Sequence, residues 1–117
     1  LLRDVVIYGS GKKANIDGYQ VIGKTGTANK LINGRYKNKV VMTSFLSAFP
    51  ENNPKYAMLL VFDEPKSTSE TYGFVTSGWN AVPVGGKIIS EIAPQLNVQA
   101  DFDLDTQRRH VKAVFEK

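Results

Sequence analysis

The tetrad Lys24-Thr25-Gly26-Thr27 places a cation, two hydroxyl groups and a residue without a side chain at successive positions. Lysine supplies a positive charge, the threonine hydroxyls donate and accept hydrogen bonds, and the glycine lets another molecule come close to the backbone. Such a set suits an anionic partner, which could be a phosphate group or a carboxylate. The sequence on either side of the tetrad separates these two chemistries.

The nucleotide interpretation rests on the eight residues from Gly18 to Thr25, which have the spacing of a phosphate-binding P-loop. In a P-loop a helix begins directly after the lysine and directs its free N–H groups at the phosphates. Asp63 ends an apolar run and could hold Mg²⁺. However, Tyr19-Gln20-Val21-Ile22 favours a strand, and Gly26 would weaken a helix that starts here. A P-loop nucleotide-binding module is therefore the alternative hypothesis.

A series of short motifs surrounds the tetrad. They occupy residues 9–14, 18–28, 43–45, 49–50, 53–57, 62–65 and 78–83. Their order and spacing resemble the C-terminal part of the transpeptidase domain of class B penicillin-binding proteins, especially the division-specific peptidoglycan D,D-transpeptidases. The resemblance covers residues 9 to about 96. We therefore predict that 1–96 is the C-terminal part of a transpeptidase domain and that 97–117 is a tail that can form a short helix.

The resemblance implies acyl transfer. In this family a serine attacks the D-alanyl-D-alanine bond of a peptidoglycan stem peptide, or the β-lactam ring that imitates it. Lys24 would then supply positive charge near the nucleophile, and the hydroxyls of Thr25 and Thr27 would bind the substrate carboxylate. Gly26 would let the substrate lie along the strand, and the backbone N–H of Thr27 would form half of the oxyanion hole. Tyr72 stands where the family has aromatic residues near the site.

Two of the family's three catalytic motifs are missing. Ser10-Gly11-Lys12-Lys13 has the Ser-x-x-Lys spacing of the nucleophile motif, but Ser10 lies between two glycines and only 14 positions before Lys24. The family places its nucleophile far upstream, on a helix. No Ser-x-Asn motif occurs, and Tyr36-Lys37-Asn38 follows the tetrad where the family's equivalent precedes it. We predict an enzyme fragment that is inactive alone and that binds β-lactams only together with the upstream part of the domain.

Composition limits the partners. The net charge is +4, but the lysines and arginines are scattered and no basic stripe is interleaved with aromatic residues, so we predict no nucleic acid binding. The chain has no cysteine, and we expect neither a metal nor a cofactor. The longest apolar run has six residues, where a membrane helix needs about 18. The resemblance implies an anchor upstream, a location on the periplasmic side of the bacterial inner membrane, and cell-division proteins as partners.

The predicted fold class is α+β, an antiparallel meander of three strands with flanking helices, as part of the penicillin-binding transpeptidase and serine β-lactamase-like fold. A helix end at 1–8 precedes a polar loop at 10–17. Strands are predicted at 19–31, 36–49 and 56–63, and Asn33-Gly34 forms the first turn. Residues 64–78 form a loop that is either a binding edge or a solvated connection.

A helix capped by Asn80 should run to about residue 93. Gly85 and Gly86 would let this helix approach the sheet closely, and we expect Trp79 to pack in the core. In the family the third strand pairs with a strand from far upstream. If that strand is absent, the exposed edge could pair with a second copy of the fragment.

Overall fold

The computed structural model describes residues 1–103. Its elements are α1 (Leu2–Tyr8), β1 (Ile22–Ile32), β2 (Arg35–Phe49), β3 (Tyr56–Asp63) and α2 (Ala81–Ile92), with short 3-10 turns at Lys12–Ala14 and Ser77–Trp79. This is the predicted α+β arrangement, and the fold class is confirmed. The helix predicted within the tail falls mainly on residues 104–117, which lie outside the described range.

The three strands form an antiparallel sheet in the order β1-β2-β3. Asn33 and Gly34 both have positive φ, 52° and 77°, as the two central residues of a tight hairpin turn require. The predicted meander and its first turn are therefore confirmed. Strand β1 begins at Ile22 rather than at 19, because Gly18 and Gln20 adopt φ values of 91° and 46° and turn the chain just before the strand.

One face of the sheet carries the hydrophobic core. Phe45 and Phe49 from β2 are fully buried there, together with Val82 and Ile89 from α2. Helix α1 is joined to the same layer because Arg3 donates a hydrogen bond of 2.7 Å from Nη1 to the carbonyl of Val21. The core is thus a sheet covered on one side by helices.

The two glycines of α2 approach different neighbours. A Cβ atom on Gly85 would lie 2.8 Å from Cδ2 of Phe45, so this glycine lets the helix approach the sheet, as predicted. A Cβ atom on Gly86 would lie 2.8 Å from the carbonyl oxygen of Lys13. The prediction is therefore corrected for Gly86, which lets α2 approach the turn at Lys12–Ala14 instead of the sheet.

The opposite face of the sheet is open in the part of the chain that the structure describes. It exposes large apolar side chains, including Leu46 at 53 % and Leu59 at 63 % of their full accessible area. Met42 and Val61 are exposed beside them. We call this surface, formed by Met42, Leu46, Leu59 and Val61, the open face.

Asn80 joins the helix, the sheet and the preceding loop. Its Oδ1 accepts hydrogen bonds from the backbone N–H of Ala81, at 2.7 Å, and from the hydroxyl of the buried Thr43, at 2.6 Å. Its Nδ2 donates to the carbonyl of Val75 at 2.8 Å. The predicted helix cap is confirmed, and the same amide also satisfies a buried hydroxyl of β2.

Replacing Asn80 tests this arrangement. Asn80→Ala should lower the free energy of unfolding by about 1–3 kcal/mol, because the helix loses its cap and the Thr43 hydroxyl loses its partner. Asn80→Asp keeps both acceptor functions and loses only the donor to Val75, so its loss should be smaller. Urea unfolding followed by circular dichroism measures both. Equal losses would show that the bond to Val75 dominates.

Gly86→Ala tests the approach of α2 to the turn at Lys12–Ala14. In an unhindered helix this change would stabilise by about 1 kcal/mol. Here we expect a net loss of about 1–3 kcal/mol, because the added methyl group meets backbone atoms that cannot move aside easily. Lys87→Ala, on the exposed side of the same helix, is the control and should stay within about 0.5 kcal/mol. A stabilised Gly86→Ala variant would contradict the packing.

Candidate active site

The tetrad lies on a strand, and the nucleotide alternative is wrong. Strand β1 continues through Thr25 to Ile32, so no helix begins after the lysine. Asp63 does not line the cleft beside the tetrad either, and its carboxylate accepts a hydrogen bond of 2.8 Å from Nζ of Lys30. Hydrogen bonds to Asp63 and then to Glu64 raise the pKa of Lys30 above its ordinary value. The strand-forming residues before the tetrad, not the glycine spacing, decide the local structure.

Alternation along β1 divides the tetrad between the two faces of the sheet. Thr25 pairs with the buried Phe45, and Thr27 with the buried Thr43, so both threonines belong to the covered face. Lys24 pairs with the exposed Leu46 and belongs to the open face. One short segment therefore offers hydroxyls on one side of the strand and a cation on the other.

The two threonines line a cleft of about 330 Å³ at the free side of β1. The other lining residues come from the loop after α1 and from the turn before α2; they are Gly9, Ser10, Lys12, Lys13, Thr76, Ser77, Gly78 and Trp79. Outside the tetrad, three of the lining side chains carry a hydroxyl group and two carry a positive charge, and none of the lining residues is acidic. The cleft therefore has the chemistry to bind a carboxylate or a similar anion.

Each cleft threonine has a hydrogen-bond partner from a different loop. The hydroxyl oxygens of Ser10 and Thr25 lie 2.8 Å apart. The backbone N–H of Ser77 donates to Oγ1 of Thr27 at 3.0 Å, and the Ser77 hydroxyl donates to the carbonyl of Ser44 at 2.7 Å. These bonds fix the position of both threonine oxygens before any ligand arrives.

The other two tetrad residues have different surroundings. Lys24 is exposed, and its Nζ donates to the carbonyl of Thr25 at 3.0 Å. A Cβ atom on Gly26 would lie 2.6 Å from Oγ of Ser44 on the neighbouring strand. The glycine is therefore needed for the close approach of the Ser44 side chain within this sheet, in addition to any approach of a ligand.

The loop at 64–78 ends in an aromatic cluster. Tyr72 is 78 % exposed and does not line the cleft itself, but its ring meets Trp79 edge-on, with centroids 5.8 Å apart. Phe74 stacks on the other side of Trp79 at 5.2 Å, and Nζ of Lys13 lies 3.8 Å from the centre of the same ring. The prediction that Trp79 packs in the core is wrong, since it is half-buried and forms a wall of the cleft.

Sequence reasoning missed Ser10 as well as Trp79. The Ser-x-x-Lys spacing of Ser10 suggests a nucleophile, and the family pattern excludes that role. Neither the spacing nor the pattern indicates a contact with Thr25. No local pattern signals a contact between residues 15 positions apart. For Trp79 a signal existed, because Tyr72 and Phe74 precede it in a polar loop. Thr76, Ser77 and Gly78 line the cleft, so this loop contributes an edge of the site rather than only a connection.

Two other kinds of functional feature are not found in the described range. Across residues 1–103 the structure contains no helix whose length and apolar character would let it cross a membrane. In the same range no three histidine, cysteine or acidic side chains are grouped as metal ligands.

Comparison with known protein families identifies the family of the chain. The family model described as penicillin binding protein transpeptidase domain matches residues 1–79. The chain therefore belongs to the penicillin-binding protein transpeptidase family, and the resemblance carried by its motifs is confirmed.

Curated relatives support the same assignment. The chain is 40 % identical over 104 residues to the probable peptidoglycan D,D-transpeptidase FtsI of Caulobacter vibrioides, a match that covers 84 % of this chain and 18 % of the relative. It is 36 % identical over 98 residues to the stage V sporulation protein D of Bacillus subtilis, covering 84 % and 14 %. The chain thus spans less than a fifth of the length of either relative.

Solved structures show the same fold. The transpeptidase domain of penicillin-binding protein 3 from Burkholderia pseudomallei superposes with a TM-score of 0.70 at 33 % identity, covering 86 % of this chain and 29 % of that one. Penicillin-binding protein 3 from Mycobacterium tuberculosis, solved in complex with ampicillin, gives a TM-score of 0.69 at 28 % identity, covering 86 % and 23 %. The meander and helix described above are therefore a part of the penicillin-binding fold.

Proposed function

We propose that this chain is the C-terminal lobe of a peptidoglycan D,D-transpeptidase that cross-links stem peptides by serine acyl transfer during cell division. The observation that carries the proposal is the tetrad on an edge strand, with the hydroxyls of Thr25 and Thr27 in a cleft lined by lysines and hydroxyls and by no acidic group. The name of the Caulobacter relative and the ampicillin complex of the Mycobacterium protein support the same chemistry.

Thr25 and Thr27 bind the carboxylate of the substrate in this proposal. Oγ1 of Thr27 already accepts a hydrogen bond from the N–H of Ser77, so its own proton remains to be donated. A carboxylate accepts hydrogen bonds and donates none, and therefore suits a site of this kind. Gly26 lets the substrate lie along β1, and the exposed ring of Tyr72 borders its path.

The backbone N–H of Thr27 forms half of an oxyanion hole, and the N–H of the nucleophilic serine forms the other half. A donor of this kind stabilises the transition state by roughly 3 kcal/mol. The serine belongs to the upstream part of the domain, which we propose covers the open face. Lys24 belongs to that face, opposite the exposed Leu46, so a domain seated there would bring its nucleophile near the lysine.

The location and partners of the enzyme follow from its substrate. Stem peptides are cross-linked outside the inner membrane, so the domain acts on the periplasmic side, with cell-division proteins as partners and no cofactor.

In the isolated chain the outer edge of β3 and the open face are uncovered, and we propose that two copies associate through them. Sedimentation of the isolated chain as a monomer at micromolar concentration would contradict self-association.

Labelled penicillin tests the enzymatic proposal. The longer protein that contains this chain should become covalently labelled, whereas the 117-residue chain alone should not. Lys24→Ala in the longer protein should slow acylation by about 10²–10⁴-fold, since it removes a charge that assists proton transfer at the nucleophile. Lys30→Ala is the matched control, because Lys30 stands on the same strand and face but binds Asp63 and Glu64.

Two results would count against the proposal. If the longer protein is not labelled, the transpeptidase function fails. If the isolated chain is labelled at Ser10, the nucleophile lies within this segment, and the prediction that it is inactive alone is wrong. Equal slowing by Lys24→Ala and Lys30→Ala would show that the effect is structural and not specific to the site.

A further inference from the structure

We propose that Ser10 is a positioning residue that makes the hydroxyl of Thr25 a hydrogen-bond donor to the carboxylate of the ligand. This inference rests on the proposed function and adds a residue outside the tetrad to the same site. Its starting point is the 2.8 Å contact between Oγ of Ser10 and Oγ1 of Thr25. Both hydroxyls are accessible to solvent and line the cleft, so a ligand can reach them.

The backbone holds Ser10 in place from the side of α1. The N–H groups of Gly9 and Gly11, on either side of the serine, both donate to the carbonyl of Val5 at 3.0 Å. A Cβ atom on Gly11 would lie 3.2 Å from that same oxygen, so the loop fits closely against the end of the helix. Ser10 is therefore not on a freely moving loop but on a turn tied to α1.

The second support comes from the turn before α2. A Cβ atom on Gly78 would lie 3.0 Å from the carbonyl oxygen of Ser10, so this turn lies directly against the serine. The same turn contributes the N–H of Ser77 that binds Thr27. The partners of the two threonines thus come from loops that contact each other, and together they hold both hydroxyl oxygens on one side of β1.

The direction of the Ser10–Thr25 hydrogen bond depends on the ligand. Each hydroxyl has one proton to donate and can accept through its oxygen. If Thr25 donates to Ser10, its proton is already used; if Ser10 donates to Thr25, the Thr25 proton is available for another acceptor. A bound carboxylate selects the second arrangement, because it can only accept. The resulting chain runs from Ser10 to Thr25 to the carboxylate, and each bond polarises the next.

The inference predicts a defect that depends on the charge of the ligand. In the longer protein, Ser10→Ala should lower the second-order rate of acylation by benzylpenicillin about tenfold, mainly through weaker binding before acylation, because Thr25 loses the partner that orients it. The methyl ester of benzylpenicillin offers only a neutral carbonyl acceptor, whose hydrogen bond is weaker than that of a carboxylate, so Ser10→Ala should lower its rate much less. Ser10→Thr keeps the hydroxyl and should restore the rate with the free acid.

The measurement is the ratio of acid to ester acylation rates, followed by intact mass within one preparation of each variant. A partly unfolded variant lowers both rates equally, so the ratio is independent of the folded fraction. Ser90→Ala is the matched control, because Ser90 is exposed on α2 and its hydroxyl donates only to the carbonyl of Lys87 within the helix. Its ratio should equal that of the unmodified protein.

The outcomes separate this inference from the proposed function. If the unmodified longer protein is acylated by neither ligand, the transpeptidase function fails. If it is acylated and Ser10→Ala has the unmodified ratio, the positioning role of Ser10 is wrong while the function stands. A loss that is equal for acid and ester gives this same unmodified ratio and would assign Ser10 a purely structural role.

Discussion

The side-chain amide of Asn80 is the interaction on which the rest of the structure depends. It caps α2, accepts the hydroxyl of the buried Thr43 and donates to the loop at Val75. The start of α2 and the loop before it are thereby joined, at one side chain, to a strand 37 positions earlier in the chain. The turn at Ser77–Trp79 lies between these contacts, so its position relative to β1 follows from them, and with it the hydrogen bond from Ser77 to Thr27.

The second constraint is the alternation of side chains along an edge strand. It directs the side chain of Lys24 to one face of the sheet and the side chains of Thr25 and Thr27 to the other. On a helix, two adjacent side chains would point about 100° apart instead of to opposite sides, and the backbone between them would not be accessible to a ligand. The strand therefore lets one tetrad serve two surfaces, the cleft on the covered side and the open face on the other.

The sequence predicts the parts of this structure that depend on local interactions. The three strands, the turn at Asn33-Gly34 and the cap of α2 follow from residue types within a few positions, and all are present. The strand character of the tetrad also follows locally, since β-branched and aromatic residues precede Lys24. The family resemblance supplied the chemistry that these patterns alone left open between a phosphate and a carboxylate.

Contacts between distant residues were not predictable in the same way. The contact of Gly86 with the Lys12–Ala14 turn joins residues about 70 positions apart. Nothing in the neighbouring sequence distinguishes Gly86 from Gly85, which faces the sheet. Ser10 shares this difficulty, because only the folded chain brings it to Thr25. Trp79 was misjudged because a large aromatic residue beside a buried helix start usually belongs to the core, whereas here its ring faces a cleft.

The position of Trp79 gives this segment a built-in optical probe. It is the only tryptophan in the sequence, it lines the cleft, and the ammonium group of Lys13 lies 3.8 Å from the centre of its ring. The emission of an indole responds to nearby charge and to the water around it. An anion that enters the cleft competes for Lys13 and displaces that water, so ligand occupancy can be read from the fluorescence of a single residue, without a label.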